Sequence, residues 1–276
     1  MTALLEHLGF AADARVMLLS CDELGLCHAV NVGVFEVLHR GIAASASLMV
    51  PAPWARESAA RYRGDDIGVQ LTINAEHDLY RWGPLTLSPS LLDGDGGFPR
   101  TVDDIWDHAD LEEVRRECRA QIERAVLWGF DVTHLDTHLD ALLLRPEFFD
   151  VYLDLAIEFA LPVRLADAEG EANAGFPFRS LADAEGVVFP DAHRALPADA
   201  GPDQIRHFLD ALPAGVTAVA VRPAVDTPEL RAATTDWSER VHHLRSVVGP
   251  PTIAEVAARA GVATIGYRSL RRLMRT

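Results

Sequence analysis

The stretch VMLLSCDELGLCHAVNVGVFEVLHRG, residues 16–41, sets the reading of the whole chain. Val16 to Leu19 is an uninterrupted aliphatic run, the pattern of a strand buried on both faces. It ends on the polar pair Asp22 and Glu23. From Val32 to His39 the apolar residues recur at helical spacing as far as Gly41, a helix stop. A strand, a polar loop and a helix in that order form the repeating unit of a parallel α/β fold.

The same rhythm continues outward. Ser45 to Val50 reads as a second strand, closed by Pro51 and Pro53 before a helix around Trp54 to Arg61. Ile67 to Ile73 is a third strand, followed by an irregular loop from Asn74 to about Phe98; so long a loop in a compact chain shapes a binding cleft. Leu111 to Trp128 is an amphipathic helix stopped by Gly129, Val132 to Leu135 a strand, Phe148 to Ala160 a helix and Pro162 to Leu165 a short strand. Ala166 to Gly201 has no clear period and reads as loops around a strand at Val187 to Phe189. A helix near Gln204 to Leu212, a strand at Val216 to Val221, a helix over Thr252 to Ala260 and a strand at Ala263 to Tyr267 precede a basic tail, Arg268 to Arg275. Neither a repeat nor a linker forces a boundary, so residues 1–276 are expected to form a single domain.

With 276 residues, 49% of them hydrophobic, the chain can bury a sizeable core. A formal net charge of −16 argues against nucleic acid or an anionic membrane as partner and does not repel an uncharged sugar. No apolar run approaches the roughly 20 residues of a membrane span and no signal-peptide pattern opens the chain, so a cytoplasmic protein is expected. Cys21, Cys27 and Cys118 are too few and too irregularly spaced for a disulfide framework, which implies reduced thiols. Oligomeric state, including a homo-oligomer, is left open.

In parallel α/β folds, functional side chains gather where strands end. Asp22 and Glu23 follow the first strand, Gln70 lies in the third, His134, Asp136, His138 and Asp140 sit in or after the strand at Val132, and Arg222 closes the strand at Val216. Adjacent carboxylates repel, so Asp22 and Glu23 either share a metal or an arginine, or one faces solvent while the other caps a turn. Period two puts His134, Asp136, His138 and Asp140 on one face, suited to a divalent metal or to a hydrogen-bonded surface. Tyr80, Trp82 and Phe98 would stack on sugar rings or form the loop's own small core. His28, His39, His77, His193, His242 and His243 are scattered, the pattern of surface or capping groups.

These clusters fall in a familiar order. Cys21-Asp22-Glu23-Leu24-Gly25-Leu26, Val30-Asn31, Gly41, Ala46-Ser47-Leu48-Met49-Val50, Gly68-Val69-Gln70-Leu71-Thr72, Gln121-Ile122, Thr133 to His138, Arg222 to Arg231, Asp236-Trp237 and Ile265 to Arg268 together resemble the YdjC-like carbohydrate deacetylases. The resemblance implies a distorted (β/α) barrel like the polysaccharide deacetylase (NodB-like) fold. It also implies metal-dependent hydrolysis of N-acetyl groups on amino sugars, with a zinc or magnesium ion held by an acidic residue and two histidines, and a small carbohydrate as substrate. Position by position, it assigns Asp22 as the general base, Glu23, Gln70 and His138 to the metal, Arg222 to the general acid, and Tyr80, Trp82, Asp136 and Arg164 to substrate binding.

Three of these positions depart from the family pattern. Glu23 stands where the family has aspartate, which moves the carboxylate by about 1.5 Å. Gln70 replaces a histidine with a neutral amide, a poor ligand for a transition metal. Arg222 replaces a histidine and stays protonated, so it cannot act as a general acid. Three readings follow: a working metal-dependent deacetylase, an impaired or non-catalytic carbohydrate binder in which Arg222 pairs with Asp22 or Glu23 in the metal's place, or a protein in which Arg222 clamps an anionic group of another substrate.

Overall fold

The computed structural model describes residues 3–275 apart from 41, 43 and 199; Gly41, the expected helix stop, lies outside the described residues. The first strand, β1, runs Arg15–Leu24, and nine of its ten residues are buried. A strand buried on both faces needs a neighbour on each edge and a layer on each side. β2 (Ala44–Leu48), β3 (Ile67–Leu71), β4 (Leu135–Thr137), β5 (Ala192–Ala195), β6 (Gly215–Val221) and β7 (Val262–Thr264) supply the edges, all parallel, in the order β4-β3-β2-β1-β6-β5. One edge of β1 is shared: β7 pairs with Arg15 to Met17 and β2 takes over from Leu19.

The sheet curls towards closure beyond β4. Leu135 bridges to Val163, whose N–H donates to the Val188 carbonyl a few residues ahead of β5. The result is an open, distorted α/β barrel, with helices such as His28–His39, Leu111–Leu127 and Pro146–Phe159 packed outside it. Alternation along β1 sorts the core. Met17, Leu19 and Cys21 belong to the large cluster shared with those helices, whereas Val16 and Leu18 pack inside the barrel with Val216, Tyr267 and Leu270. The interior face of β1 thus reads Val16, Leu18, Ser20, Asp22: apolar at one end and ionic at the other.

Several expectations shift. The strand expected at Val132 to Leu135 begins three residues later, because residues 131–134 pair only through single backbone bonds, such as Thr133 N–H to the Ile67 carbonyl. The stretch Ala166 to Gly201 holds helices Ala168–Ala174 and Phe178–Ala184, and its strand is β5 rather than Val187 to Phe189. The expected basic tail is the helix Tyr267–Met274, which plugs the barrel with Tyr267 and Leu270. The long loop after β3 keeps its irregular form because helix Leu111–Leu127 satisfies its backbone. The fully buried Glu117 accepts the N–H groups of Leu85 and Thr86 and the Thr86 hydroxyl, and Gln121 accepts from the Thr72 N–H. All three cysteines are buried and unpaired. No helix among the described residues is long and apolar enough to cross a membrane.

Candidate active site

The carboxyl ends of the strands surround a cleft of about 480 Å³ lined by Asp22, Glu23, Gln70, His138, Arg164 and Arg222 among others. Adjacent residues of a regular strand point to opposite faces, so Asp22 and Glu23 could not both reach it without a local irregularity. That irregularity is a bulge: Cys21 pairs with Ala46 and Leu24 with Leu48, three steps on β1 against two on β2. Glu23 absorbs the extra residue at φ 64°, a left-handed backbone costing a side-chain-bearing residue on the order of 1–2 kcal/mol. Asn31, fully buried in the next helix, steadies the turn by accepting the Gly25 N–H at 2.8 Å and donating to the Trp54 carbonyl at 3.0 Å. Leu139 and Asp140, at φ 50° and 55°, form a second left-handed corner on the same cleft.

Arg164 anchors Asp22. Its two terminal nitrogens donate to the two carboxylate oxygens at 2.7 and 2.9 Å, a bidentate fork, and one of them also lies 2.7 Å from Asp136 Oδ2. Asp136 takes further donors from the Gln70 amide at 3.0 Å and the Thr137 N–H at 2.7 Å. Burial nevertheless pushes the Asp136 carboxyl above its ordinary range, against the pull of Arg164 and with the charge of Asp22 adding to the rise. On the opposite wall His138 Nε2 meets Glu76 Oε2 at 3.0 Å. Burial opposes charge on both, yet their mutual attraction wins, raising His138 and holding Glu76 down to about 2.

Glu23 enters a closed cycle of alternating charges. Its Oε2 lies 2.6 Å from an Arg240 terminal nitrogen; Arg240 Nε donates to Asp236 Oδ1 at 2.7 Å; Asp236 Oδ2 lies 2.8 Å from Arg222; and Arg222 returns to Glu23 Oε1 at 3.9 Å. The Arg240–Glu23 contact is close but off the angle of a hydrogen bond, so it is an ion pair held by charge. Arg240 is 1% exposed, whereas the Arg222 side chain is 36% exposed and has Glu239 at 3.6 Å on its outer nitrogen. Arg222 and Glu23 also border a second cleft of about 670 Å³ towards Trp237, so the two cavities adjoin across this cycle. The Arg222 backbone is fixed by His243, whose Nδ1 must be unprotonated because it accepts the Arg222 N–H; its Nε2 proton then goes to the Leu196 carbonyl at 3.0 Å.

A divalent metal needs several lone pairs aimed at one point. Here Gln70 turns its NH₂ towards Asp136, His138 Nε2 is engaged with Glu76, and both oxygens of Glu23 face guanidinium groups. Among the described residues no three His, Cys, Asp or Glu side chains come together as a ligand set. These residues do not fit the metal that the sequence resemblance implies.

A model of the YdjC-like proteins matches residues 16–257. This chain belongs to the YdjC-like family. Relatives include a carbohydrate deacetylase of Thermus thermophilus, 38% identical over 86% of this chain and 87% of its own length, and one of Geobacillus stearothermophilus, 31% identical over 94% and 99%. A chitooligosaccharide deacetylase of Yersinia pestis is 28% identical over 55% and 59%. The crystal structure of an Enterococcus faecalis protein, described as a candidate cellobiose-phosphate cleavage protein, superposes with a TM-score of 0.79 over 93% of this chain and 99% of that one at 24% identity, which speaks for the fold.

Within this YdjC-like cleft the structure redistributes the assigned side chains. Asp22, Glu23, Gln70, His138, Arg164 and Arg222 share the cavity wall. Arg222 reaches Glu23 but not Asp22, whose partner is Arg164; Arg164 pairs with the protein's own carboxylates, Asp22 and Asp136. Asp136 is buried, with its oxygens taken by Arg164, Gln70 and Thr137, and is not among the residues that line the cleft. Tyr80 and Trp82 are the loop's own core, the Tyr80 hydroxyl donating to the Leu26 carbonyl and the Trp82 indole to the Asn74 carbonyl, and neither lines the cleft. His134 does not share the metal face: it is fully buried, stacked at 3.7 Å on Tyr267 and bonded to Ser47.

Arg240 and Glu76 escaped the sequence reading, and Asp236 and His243 entered it only as part of the family resemblance and as one of the scattered histidines. The signal for three of them is the helix Trp237–Val248, capped by Asp236, which buries Arg240, Val241, His243, Leu244 and Val247 at spacings of three and four. His193 also lines the cleft; burial first and the Arg164 charge second lower it to about 4, leaving a neutral imidazole there at neutral pH.

Proposed function

We propose that this YdjC-like chain acts on N-acetylated amino sugars or short oligosaccharides of them, removing the acetyl group by hydrolysis. The observation that carries the reading is the Asp22 carboxylate, clamped by Arg164 at the cleft wall, in a chain 38% identical to a carbohydrate deacetylase; the sequence resemblance assigns this residue the role of base. An anchored carboxylate with a fixed orientation suits a general base. Asp22 would take a proton from water as its oxygen adds to the amide carbonyl. When the C–N bond breaks, the same proton passes to the departing nitrogen, so acetate and a free amine leave and Asp22 is regenerated. Arg222, the cation of the cycle that opens to the cleft, supplies positive charge for the developing oxyanion.

Without a separate general acid this route forgoes an effect worth roughly 10²- to 10⁴-fold, so slow turnover is expected. Acetate release from acetylated chitooligosaccharides, abolished by Asp22→Asn, tests the reading. A second reading, a carbohydrate-binding relative without turnover, is favoured by the guanidinium groups that saturate Glu23. Calorimetric binding of the sugar with no acetate released over days would replace the first reading with the second.

A further inference from the structure

We propose that the Glu23–Arg240–Asp236–Arg222 cycle is a built-in substitute for a divalent cation, and that this chain takes no such ion at its active site. The inference rests on the deacetylase-type reading of the cleft only for its location; the charge argument is independent of it. Two guanidinium groups, their charge partly offset by Asp236, face the two oxygens of Glu23 at 2.6 and 3.9 Å, and both are covalently part of the chain. Arg240 cannot swing out to make room, because it is 1% exposed and its Nε is bonded to Asp236 on the preceding turn. Arg222 cannot swing freely either, with its backbone fixed on His243 and its side chain shared by Asp236 and Glu239.

The remaining donors agree. Gln70 presents to this region an amide whose nitrogen is committed to Asp136 and whose buried oxygen has no hydrogen-bond partner, a single neutral donor where a transition metal would need imidazole. An ion approaching Glu23 would therefore meet two fixed cations and one weak ligand. The cycle also lies where the two clefts adjoin, so it forms the floor against which a bound sugar would rest.

The test is titration of zinc chloride into the full-length, chelator-treated protein by calorimetry, with melting temperature followed in parallel. The expected result is no stoichiometric zinc uptake and no rise in melting temperature, while Gln70→His combined with Arg222→His takes up one equivalent. One equivalent bound by the unaltered chain, and lost in Glu23→Gln, would overturn the proposal. Acetate release with and without chelator separates the two readings. Chelator-resistant release supports both. Release that requires zinc overturns the metal-free site and keeps the deacetylase. No release under either condition, with no zinc bound, removes the deacetylase and keeps the metal-free site.

Discussion

Arg164 sets two guanidinium nitrogens against the two carboxylate oxygens of Asp22, at 2.7 and 2.9 Å, across 142 residues of chain. A lysine at 164 would keep the charge and lose the planar fork that fixes the carboxylate's orientation. Arg164→Lys is expected to lower acetate release at least tenfold with a smaller change in KM. Equal activity in the lysine variant would show that orientation of Asp22 is immaterial.

Removing one member of a buried ion pair strands the other. Arg240→Met leaves Glu23 buried with only the more distant, partly solvated Arg222, and should cost about 3–5 kcal/mol in urea unfolding. Adding Glu23→Gln to the same chain should recover part of that loss. A double variant no more stable than the single one would mean that the pair is not coupled.

His134 gives the fold an acid-sensitive element. Its imidazole is held well below the usual 6.5, by burial first and by the Arg164 charge second. Below pH 6.5 the unfolded chain binds a proton there that the folded chain refuses, so the contribution is complete above that pH and is lost progressively as pH falls beneath it. The loss amounts to at most about 1.4 kcal/mol per pH unit. Unfolding midpoints at pH 7.5 and 5.5 should therefore separate more in the parent chain than in His134→Gln; identical separations would assign the acid sensitivity elsewhere.

Glu117 is the internal post to which the loop after β3 is tied. Glu117→Ala removes acceptors from Leu85 N–H, Thr86 N–H and the Thr86 hydroxyl at once, at a cost of about 1–3 kcal/mol for each donor left buried. Limited proteolysis should then cut within residues 83–98 well before the barrel. Uncut loops in that variant would show that Arg81, which bonds Asp93 and the Phe98 carbonyl, suffices alone.

Strands buried on both faces were legible in the sequence because they are rich in aliphatic residues, even where Gln70 and Thr217 interrupt the run: Val16 to Leu19, Ile67 to Ile73 and Val216 to Val221 all lie on or within a residue or two of real strands. The interior face of β1 was legible as far as Asp22. What followed was not, since alternation sends Glu23 outward and only the paired bulge with β2 brings it back. The helix holding Arg240 was hidden for a related reason. A buried arginine breaks the amphipathic pattern, and its burial is tolerated only by carboxylates supplied from Glu23 and Asp236. Helix Tyr267–Met274 read as a tail because its three arginines outweigh Tyr267 and Leu270, the two side chains that enter the barrel.

The alternating charge cycle also bears on how this chain could change over generations. Four members neutralise one another, so exchanging any one of them alone leaves an odd charge in a sheltered place. Histidine at 222 without a partner at 70 would weaken the fold before it offered anything new. Reaching histidine at both 70 and 222 one exchange at a time would therefore cross an epistatic valley, which holds the present arrangement in place.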